Sequence, residues 1–494
     1  MSHPDQVKTV IGLRIGGALD GIDAALATIR VTANGDVSLD AIHAHQTLPL
    51  PARVRTALKE FNKTVDLEEF SRLNFRLGIE ASHAASRVIA DAGMTPQAID
   101  LCAVSGYTAI ENFARRDIQI GFDLGHPNML VVGDPTAISE SLGLPVAYGF
   151  ETGALAAGGT RLDAFSRAER ALFQYPDDSV ALVTLGGIIR MAAIPALNAG
   201  KPIFKWEVCP GMIFYDDLVS KATLGDYTYD VDGALSARGE MRYKTLKYLH
   251  AHEMQQEPPP RLLPRRYVAG RYFTDFWTDN VSRDVRPSDM IASYAIFIAQ
   301  TVARDFVSIA RPQLGDISTL IVSGGGESNP YLVDRLQAEL LRYGEYAVMS
   351  SNDFNIPPTA LGAISTAIVG ALRFAGKPNI ETALTGNIVS AGAVALPSVR
   401  ADAMRHEMSL DDLKSRIDQF RNHGFDHFNA AVSTSEKPGD TQRLKSVDPS
   451  AERTDATAPA LADAPSGQVS AIVKPASVFI DLSALDDATT DSDH

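Results

Sequence analysis

The fold of this chain is decided by one stretch near its N-terminus, Thr9-Val10-Ile11-Gly12-Leu13-Arg14-Ile15-Gly16-Gly17-Ala18-Leu19-Asp20-Gly21-Ile22-Asp23. An apolar run enters a Gly-Gly turn and a second apolar run leaves it, which predicts two strands joined by a tight turn. Such a turn directs backbone N–H groups at a phosphate, and an acid beside it can hold a metal ion. The turn itself carries no hydroxyl side chain, although hydroxyls are expected in a nucleotide loop.

The same pattern returns in the middle of the chain. Residues Ser179 to Leu185 predict a strand, Gly186-Gly187 a turn, and Ile188 to Ile194 a second apolar strand. Two strand–Gly-Gly–strand units predict a duplicated α/β unit whose glycine turns face each other across a cleft. Two unrelated hairpins would give the same pattern, and the spacing alone does not separate the two interpretations.

A third glycine loop follows the predicted strand Thr319 to Ser323. It consists of Gly324-Gly325-Gly326, after which Asn329 and Pro330 predict the start of a helix. A strand, a glycine loop and a helix N-terminus in this order are typical of an anion or nucleotide site. The proline-rich segment Gln255 to Pro264, by contrast, predicts a surface loop.

Bulk composition narrows the function classes. The chain has 494 residues, 45% of them hydrophobic and 21% charged, which predicts a soluble protein of two domains with additions. A net charge of −15 argues against nucleic acid or an anionic membrane surface as the main partner. The two cysteines, Cys102 and Cys209, indicate a reducing compartment. No secretory segment precedes the first strand, so we expect a cytoplasmic protein.

Two further segments need an interpretation. The apolar stretch Met290 to Ala310 contains Arg304 and Asp305, which favours a buried helix over a membrane span. From about Val432 the chain becomes rich in Ser, Thr, Pro and Asp, which predicts a disordered acidic tail over residues 431–494. An apolar island at Val473 to Leu485 is either a docking segment or a random cluster.

Taken together and in order, the glycine turns resemble those of the anhydro-N-acetylmuramic acid kinases, a family that includes the fungal levoglucosan kinases. The resemblance extends from Ile11 to about Pro397. The matching segments are Gly12-Leu13, Gly16, Leu19 to Asp23, Gly133-Asp134-Pro135, Ala156 to Gly159, Leu185 to Ile188, Pro210-Gly211, Tyr229 to Gly233, Gly239, Gly270-Arg271, Phe273, Ser323 to Gly326 and Asn329-Pro330.

The resemblance implies an α/β fold of duplicated ribonuclease-H-like units, the actin/hexokinase/Hsp70 ATPase fold, with two lobes around a nucleotide cleft. The lobes would comprise residues 1–180 and 181–430. It implies ATP, Mg²⁺ and a small sugar, with a homodimer as the assembly expected from the family. A protein partner for the tail is a further expectation, whereas nucleic acid and membrane are not expected.

The resemblance also assigns roles to individual residues. Asp20 would hold Mg²⁺, Glu207 would be the catalytic base that activates water, and Tyr107 and Glu151 would lie in the sugar site. The nucleotide-binding residues implied are Gly16, Gly17, Asp20, Gly186, Gly187, Gly324, Gly325, Gly326 and Asn329.

Several polar groups of the family motifs are replaced. Ile15, Gly17 and Ala18 stand where the family has hydroxyl residues, and Glu207 stands for its catalytic Asp. The other replacements are Ser105-Gly106-Tyr107-Thr108 for HGQT, Glu151 for an Arg, Ala154 for an Asp, Arg190 for an Asn, Met212 for an Asn, Tyr272 for a Glu and Gly362 for a helix Glu. Glu207 keeps a carboxylate on a longer arm, and a misplacement of about 1 Å can cost about 10²-fold in rate.

Arg190 has two interpretations, since it could bind phosphate or pair with Glu207 and suppress its basicity. The sequence therefore supports two functions of different classes. One is a divergent ATP-dependent sugar kinase with an altered substrate, and the other is a pseudokinase that keeps the fold and acts as a binding or regulatory protein. A hydrolase of the same fold that uses Glu207 and Asp20 is a third, weaker alternative.

Overall fold

A computed structural model describes residues 5–60, 66–112, 127–315 and 317–421, apart from the side chains of Glu60 and Arg266. The predicted acidic tail and its apolar island lie outside the described residues. The strands are β1 Gln6–Ile15, β2 Gly21–Val31, β3 Val37–Pro49, β4 Leu101–Ser105, β5 Tyr107–Asn112, β6 Asn128–Val132, β7 Val146–Tyr148, β8 Val180–Thr184, β9 Ile188–Ile194, β10 Phe204–Pro210, β11 Thr319–Ser323, β12 Ala347–Ser350, β13 Ile380–Glu381, β14 Ile388–Val389 and β15 Ala393–Ala395.

Helices separate groups of strands along the chain. They are α1 Ala52–Glu60, α2 Leu67–Asp91, α3 Pro135–Leu142, α4 Phe150–Ala156, α5 Ser166–Phe173, α6 Met212–Ala222, α7 Ala234–Arg238, α8 Tyr243–Ala251, α9 Glu253–Gln256, α10 Arg265–Tyr267, α11 Phe273–Ser282, α12 Pro287–Asp305, α13 Arg311–Leu314, α14 Pro330–Leu341, α15 Leu361–Phe374 and α16 Val399–Glu407.

Two sheets share one topology. The first has the order β15-β7-β4-β1-β2-β3, and the second has the order β10-β9-β8-β11-β12. In each sheet three antiparallel strands are followed by two strands that run parallel to the first of them. The repeated order confirms the predicted duplication and the predicted fold class.

The strands at the first glycine turn extend beyond the opening stretch. They pair from Gln6 opposite Val31 to Ile15 opposite Ile22, whereas that stretch begins at Thr9. Because the pairing continues up to Ile15 and Ile22, residues Gly16 to Asp20 form a short connection. The proposed boundary between lobes near residue 180 stays a prediction, since β15 returns from residues 393–395 to pair with β7.

Local signals explain where several helices begin. Asp66 accepts a hydrogen bond from the N–H of Glu68 at 3.0 Å at the start of α2, and Asp134 does the same for Thr136 at 2.8 Å at the start of α3. Asn329 caps α14, whose first residue is Pro330. Each of these side chains satisfies N–H groups that the first helical turn leaves without a carbonyl partner.

Apolar side chains form three buried clusters. One lies between the first sheet and α2, one surrounds α12 beside the second sheet, and the third connects both sheets through α15. The helical segment Pro287–Leu314 is the one that is long and apolar enough to cross a membrane within the described ranges, and 83% of its apolar window is buried inside the fold. This burial agrees with the predicted core helix at Met290 to Ala310.

Close packing of α15 on β1 generates the first testable prediction. A Cβ atom at Gly12 would lie 1.9 Å from the carbonyl oxygen of Ala363 and 2.8 Å from the amide nitrogen of Ala367. Because both neighbours are backbone atoms, Gly12→Ala has to push the helix from the sheet, and we expect it to lower the free energy of unfolding by about 1–3 kcal/mol. Urea unfolding of the full chain measures this.

Gly270→Ala is the matched control for this prediction. A Cβ atom at Gly270 meets nothing within 4 Å, so the added methyl group should leave the free energy of unfolding nearly unchanged. Equal unfolding midpoints for the two variants would contradict the packing of α15 on β1.

Candidate functional site

The two Gly-Gly turns face each other, as the sequence predicts. The first joins β1 to β2 and the second joins β8 to β9, and a Cβ atom built on Gly187 would lie 3.2 Å from the amide nitrogen of Ala18. Within the described part of the chain, the amide groups of Gly17, Ala18 and Gly187 donate no hydrogen bond. Free, converging N–H groups of this kind form a cradle for a phosphate.

Asp20 lies at the open end of the first turn. Its side chain is exposed, and one carboxylate oxygen accepts the N–H of Gly21 at 3.0 Å. Asp216, in the second turn of α6, lies close enough for the charge of Asp20 to act on its carboxyl group. Burial, with the nearby charges of Asp20 and Asp217, raises the pKa of Asp216 to about 7. Carboxylates that repel one another at a phosphate cradle fit a divalent cation chemically.

The described residues contain no group of three or more His, Cys, Asp or Glu side chains that could hold a metal by themselves. Mg²⁺ commonly takes one or two carboxylates and completes its shell with water and substrate phosphates. Asp20 and Asp216 are two carboxylates close enough to interact, and only Asp20 was predicted from the sequence. The role of Asp20 as a metal ligand stays a prediction.

The third glycine loop lies directly behind the second turn. The N–H of Gly326 donates to the carbonyl of Leu185 at 2.8 Å, and the N–H of Leu185 donates to Ser323 at 2.7 Å. These bonds place the loop Gly324 to Gly326 next to Gly186. Asn329 is buried, and its side-chain oxygen accepts the N–H of Leu332 at 3.1 Å, so this oxygen serves as a helix cap.

Glu207, which the sequence predicts as the catalytic base, lies in β10 and is buried in the core. Its side chain is 0% exposed. One carboxylate oxygen accepts Nη2 of Arg161 at 2.8 Å, and the other accepts the N–H of Leu263 at 2.6 Å. Arg161 also pairs through Nε with Glu111 at 2.6 Å. Glu207 thus has both oxygens bonded, and its assignment as the base stays a prediction.

The segment predicted as a surface loop helps to enclose Glu207. The N–H of Glu207 donates to the carbonyl of Arg261 at 2.9 Å, and Nε of Arg261 donates to the carbonyl of Glu207 at 2.8 Å. The same guanidinium pairs with the buried carboxylate of Asp305. The segment Gln255 to Pro264 is therefore anchored through buried Arg261 and Leu263, because they satisfy polar groups in the core.

A pocket beside the first glycine turn contains one of the two residues predicted for the sugar site, Glu151. Four arginines, Arg14, Arg161, Arg190 and Arg265, line it together with Glu151. Its remaining walls are Ile15, Gly16, Gly17, Ser105, Gly106, Thr108, Leu162 and Phe165. Glu151 is nearly buried and accepts a hydrogen bond from Ser105. Tyr107 is absent from these walls and packs against the core beneath the first sheet.

The open question about Arg190 has a structural answer. Arg190 is the cross-strand neighbour of Glu207, yet the carboxylate of Glu207 pairs with Arg161 instead. Burial, opposed in part by the charge of Glu207 and assisted by Arg14 and Arg265, lowers the pKa of Arg190 to about 9. The guanidinium of Arg190 therefore lies free in the pocket, where an anion would stabilise its charge.

Glycines make room for two of these arginines. A Cβ atom at Gly362 would lie 2.4 Å from Cδ of Arg14, so this glycine leaves space for the Arg14 side chain. A Cβ atom at Gly17 would lie 2.6 Å from Nη1 of Arg265, so Arg265 occupies the space that a side chain at this position would need.

Sequence reasoning missed Arg14, Arg161, Arg265 and Asp216. Arg14 lies inside the opening stretch, where its charge in an apolar strand was the available signal. The neighbours of the other three in space come from distant segments, as with Arg161 and Glu207, and no spacing rule connects them.

Comparisons with known proteins agree with this geometry. A family model described as anhydro-N-acetylmuramic acid kinase matches residues 8–396. A protein of that name from Caldanaerobacter subterraneus subsp. tengcongensis is 26% identical over 386 residues, which is 77% of this chain and 94% of the relative. One of the same name from Salinibacter ruber is 27% identical over 392 residues, 78% and 94% of the two chains.

Among solved structures, a ROK family glucokinase from Streptomyces griseus in complex with glucose and AMPPNP aligns with a TM-score of 0.32. The two chains are 14% identical, and the alignment covers 74% of this chain and 99% of that chain.

The raised pKa of Asp216 generates the second prediction. The native state holds this proton up to a pH of about 7, whereas the unfolded carboxyl releases it near its ordinary value of 3.8. Wild type therefore loses stability as pH rises from about 4 through 7. In magnesium-free buffer we expect Asp216→Asn to melt about 1–3 °C above wild type at alkaline pH and to lose that advantage in acid.

The control for this prediction is Asp226→Asn, which removes an exposed carboxylate from the turn after α6. Its melting temperature should follow wild type across the same pH range. An Asp216→Asn advantage that does not change with pH would contradict the electrostatic explanation.

Proposed function

The chain belongs to the anhydro-N-acetylmuramic acid kinase family, and we propose that it is an ATP-dependent kinase that binds the nucleotide phosphates between its two glycine turns. The observation that carries this proposal is the close approach of Gly187 to Ala18 with free amide groups on both sides. The third glycine loop, Gly324 to Gly326, lies next to the second turn and supports an adenosine site there.

Asp20 and Asp216 would hold Mg²⁺, which when bound supplies positive charge that offsets the charge on transferring phosphate oxygens. Asp20 is exposed beside the cradle, so it can reach a cation on the phosphates without leaving its turn. Asp216 is fixed on α6, whose first residues are tied to the second turn: the N–H of Met212 donates to the carbonyl of Gly186 at 2.9 Å.

The acceptor would be a small sugar, which the family name and the two relatives support. Ser105, Thr108 and Glu151 line the pocket beside the phosphate cradle and carry hydroxyl and carboxylate groups that suit a sugar. A 1,6-anhydrosugar is the acceptor class expected from the family. We further propose a cytoplasmic location, in agreement with the two free, buried cysteines.

A specific observation favours a second candidate, a family member that binds nucleotide but transfers phosphate poorly or not at all. Both carboxylate oxygens of Glu207 accept hydrogen bonds, one from Arg161 and one from the N–H of Leu263. Glu207 is not among the residues that line the pocket. For transfer, either Glu207 has to leave Arg161, or Glu151, the carboxylate that lines the pocket, has to accept the proton.

The third prediction concerns the metal-dependent binding of nucleotide. Mg·ATP should raise the melting temperature of wild type, because a ligand that binds only the native state stabilises it. Asp20→Asn should weaken the apparent affinity for Mg·ATP about tenfold, or about 1.4 kcal/mol, because it removes one anionic ligand. Isothermal titration calorimetry with and without Mg²⁺ measures the effect.

Asp36→Asn, an exposed carboxylate in the turn between β2 and β3, is the control and should bind Mg·ATP as wild type does. If neither wild type nor this control binds Mg·ATP, the proposed nucleotide site is wrong.

The fourth prediction separates the two candidate functions through Glu207. If Glu207 is mainly structural, Glu207→Gln removes a buried ion-pair partner of Arg161 and should cost about 3 kcal/mol of stability or more. If it is the base, Glu207→Gln should lower kcat by about 10²–10⁴-fold. Urea unfolding and turnover on levoglucosan, anhydro-N-acetylmuramate and simple sugars measure the two effects.

Glu151→Gln provides the comparison in both assays. Turnover by wild type that survives Glu207→Gln but is lost in Glu151→Gln would assign proton acceptance to the pocket carboxylate. Binding of Mg·ATP by wild type without turnover on any of these sugars or on glucose 6-phosphate would favour the second candidate.

A further inference from the structure

The pocket beside the first glycine turn carries more positive charge than its own acids neutralise. Arg161 is paired with Glu111 and Glu207. The side chains of Arg14, Arg190 and Arg265 have no ion pair or hydrogen bond to any residue that the structure describes. Arginines buried at this depth are normally paired or bound to an anion, because an isolated charge in a protein interior is costly.

The three unpaired guanidinium groups converge on one space. All of them line the pocket that contains Gly16 and Gly17, and Nε of Arg265 is buried without an acceptor. Arg14 and Arg190 also share the wall of an adjoining cavity, where the ring of Phe165 supports the Arg14 guanidinium at 5.0 Å. Both residues are partly exposed.

The one acid on the pocket wall does not neutralise them. Glu151 is held by Ser105 and lies beyond 4.0 Å from each of the three guanidinium groups, although its charge acts on Arg14. The neighbouring Lys205 is already paired with Glu169 at 2.7 Å. An anion that is not part of the chain would therefore neutralise the positive charge of the pocket.

We propose that Arg14, Arg190 and Arg265 bind the phosphate group of a phosphorylated small molecule, and that this molecule is the acceptor substrate. Guanidinium groups bind phosphate oxygens through paired N–H donors, and several of them match a phosphate dianion better than a single carboxylate. The hydroxyls of Ser105 and Thr108 lie on the same wall and suit a sugar attached to that phosphate. The assignment as acceptor rests on the proposed kinase function, whereas phosphate binding itself does not.

The terminal phosphate of the nucleotide has the same chemistry and is the other possible source of the anion. The experiment therefore measures binding to the full chain by calorimetry and thermal shift with inorganic phosphate, glucose 6-phosphate, glucose, Mg·ADP and Mg·ATP. Inorganic phosphate and glucose 6-phosphate should bind and raise the melting temperature, and glucose should not. Glucose 6-phosphate should still bind when Mg·ADP or Mg·ATP is saturating.

Arg190→Gln and Arg265→Gln should each weaken binding of glucose 6-phosphate at least about tenfold, since each removes a charged donor to phosphate. The control is Arg342→Gln at the exposed end of α14, where the arginine pairs only with Glu339 among the described residues, and it should bind as wild type does. Unchanged affinity in both pocket variants would overturn the proposal.

Stability in phosphate-free buffer distinguishes a binding role from a structural one. Removing one of several like charges should leave the melting temperature of Arg190→Gln equal to or above that of wild type. A clearly lower melting temperature together with retained phosphate binding would show that Arg190 is structural and would overturn the proposal. Loss of glucose 6-phosphate binding with Mg·ATP but not with Mg·ADP would assign the pocket to the nucleotide and overturn the acceptor assignment.

The proposed nucleotide site can fail independently. Absence of Mg·ATP binding with intact, arginine-dependent binding of glucose 6-phosphate would contradict the kinase function and the acceptor assignment, and it would leave the phosphate pocket standing.

Discussion

The close approach of the two Gly-Gly turns is the constraint on which the rest of the site depends. Each turn connects two antiparallel strands that stay paired up to the turn. The pairing holds each turn in place. A Cβ atom at Gly187 would lie 3.2 Å from the amide nitrogen of Ala18, so the two turns approach each other closely. Their free amide groups therefore lie near one another, and the pocket arginines line the space beside the first turn.

The side chains that line the pocket beside the first glycine turn fit around two glycines. A Cβ atom at Gly362 would lie 2.4 Å from Cδ of Arg14, and one at Gly17 would lie 2.6 Å from Nη1 of Arg265. A larger residue at either position would therefore have to displace an arginine from the pocket wall.

The sequence predicted the parts of the fold that depend on local patterns. The Gly-Gly turns, their flanking strands, the cap at Asn329 and the duplicated unit follow from alternation and turn chemistry, and the structure confirms them. The pairing of Glu207 with Arg161 and the position of Asp216 opposite Asp20 could not be predicted, because they join segments that meet only after the sheets are packed. Likewise, the proline-rich segment was predicted as surface, although Arg261 and Leu263 bind buried Glu207.

A crystal structure of the full chain with Mg²⁺ and a non-hydrolysable ATP analogue tests the central claim most directly. The account predicts phosphate oxygens within hydrogen-bond distance of the amides of Gly17, Ala18 and Gly187, with the cation beside Asp20 and Asp216. A nucleotide bound elsewhere, or phosphates that do not contact either glycine turn, would contradict it.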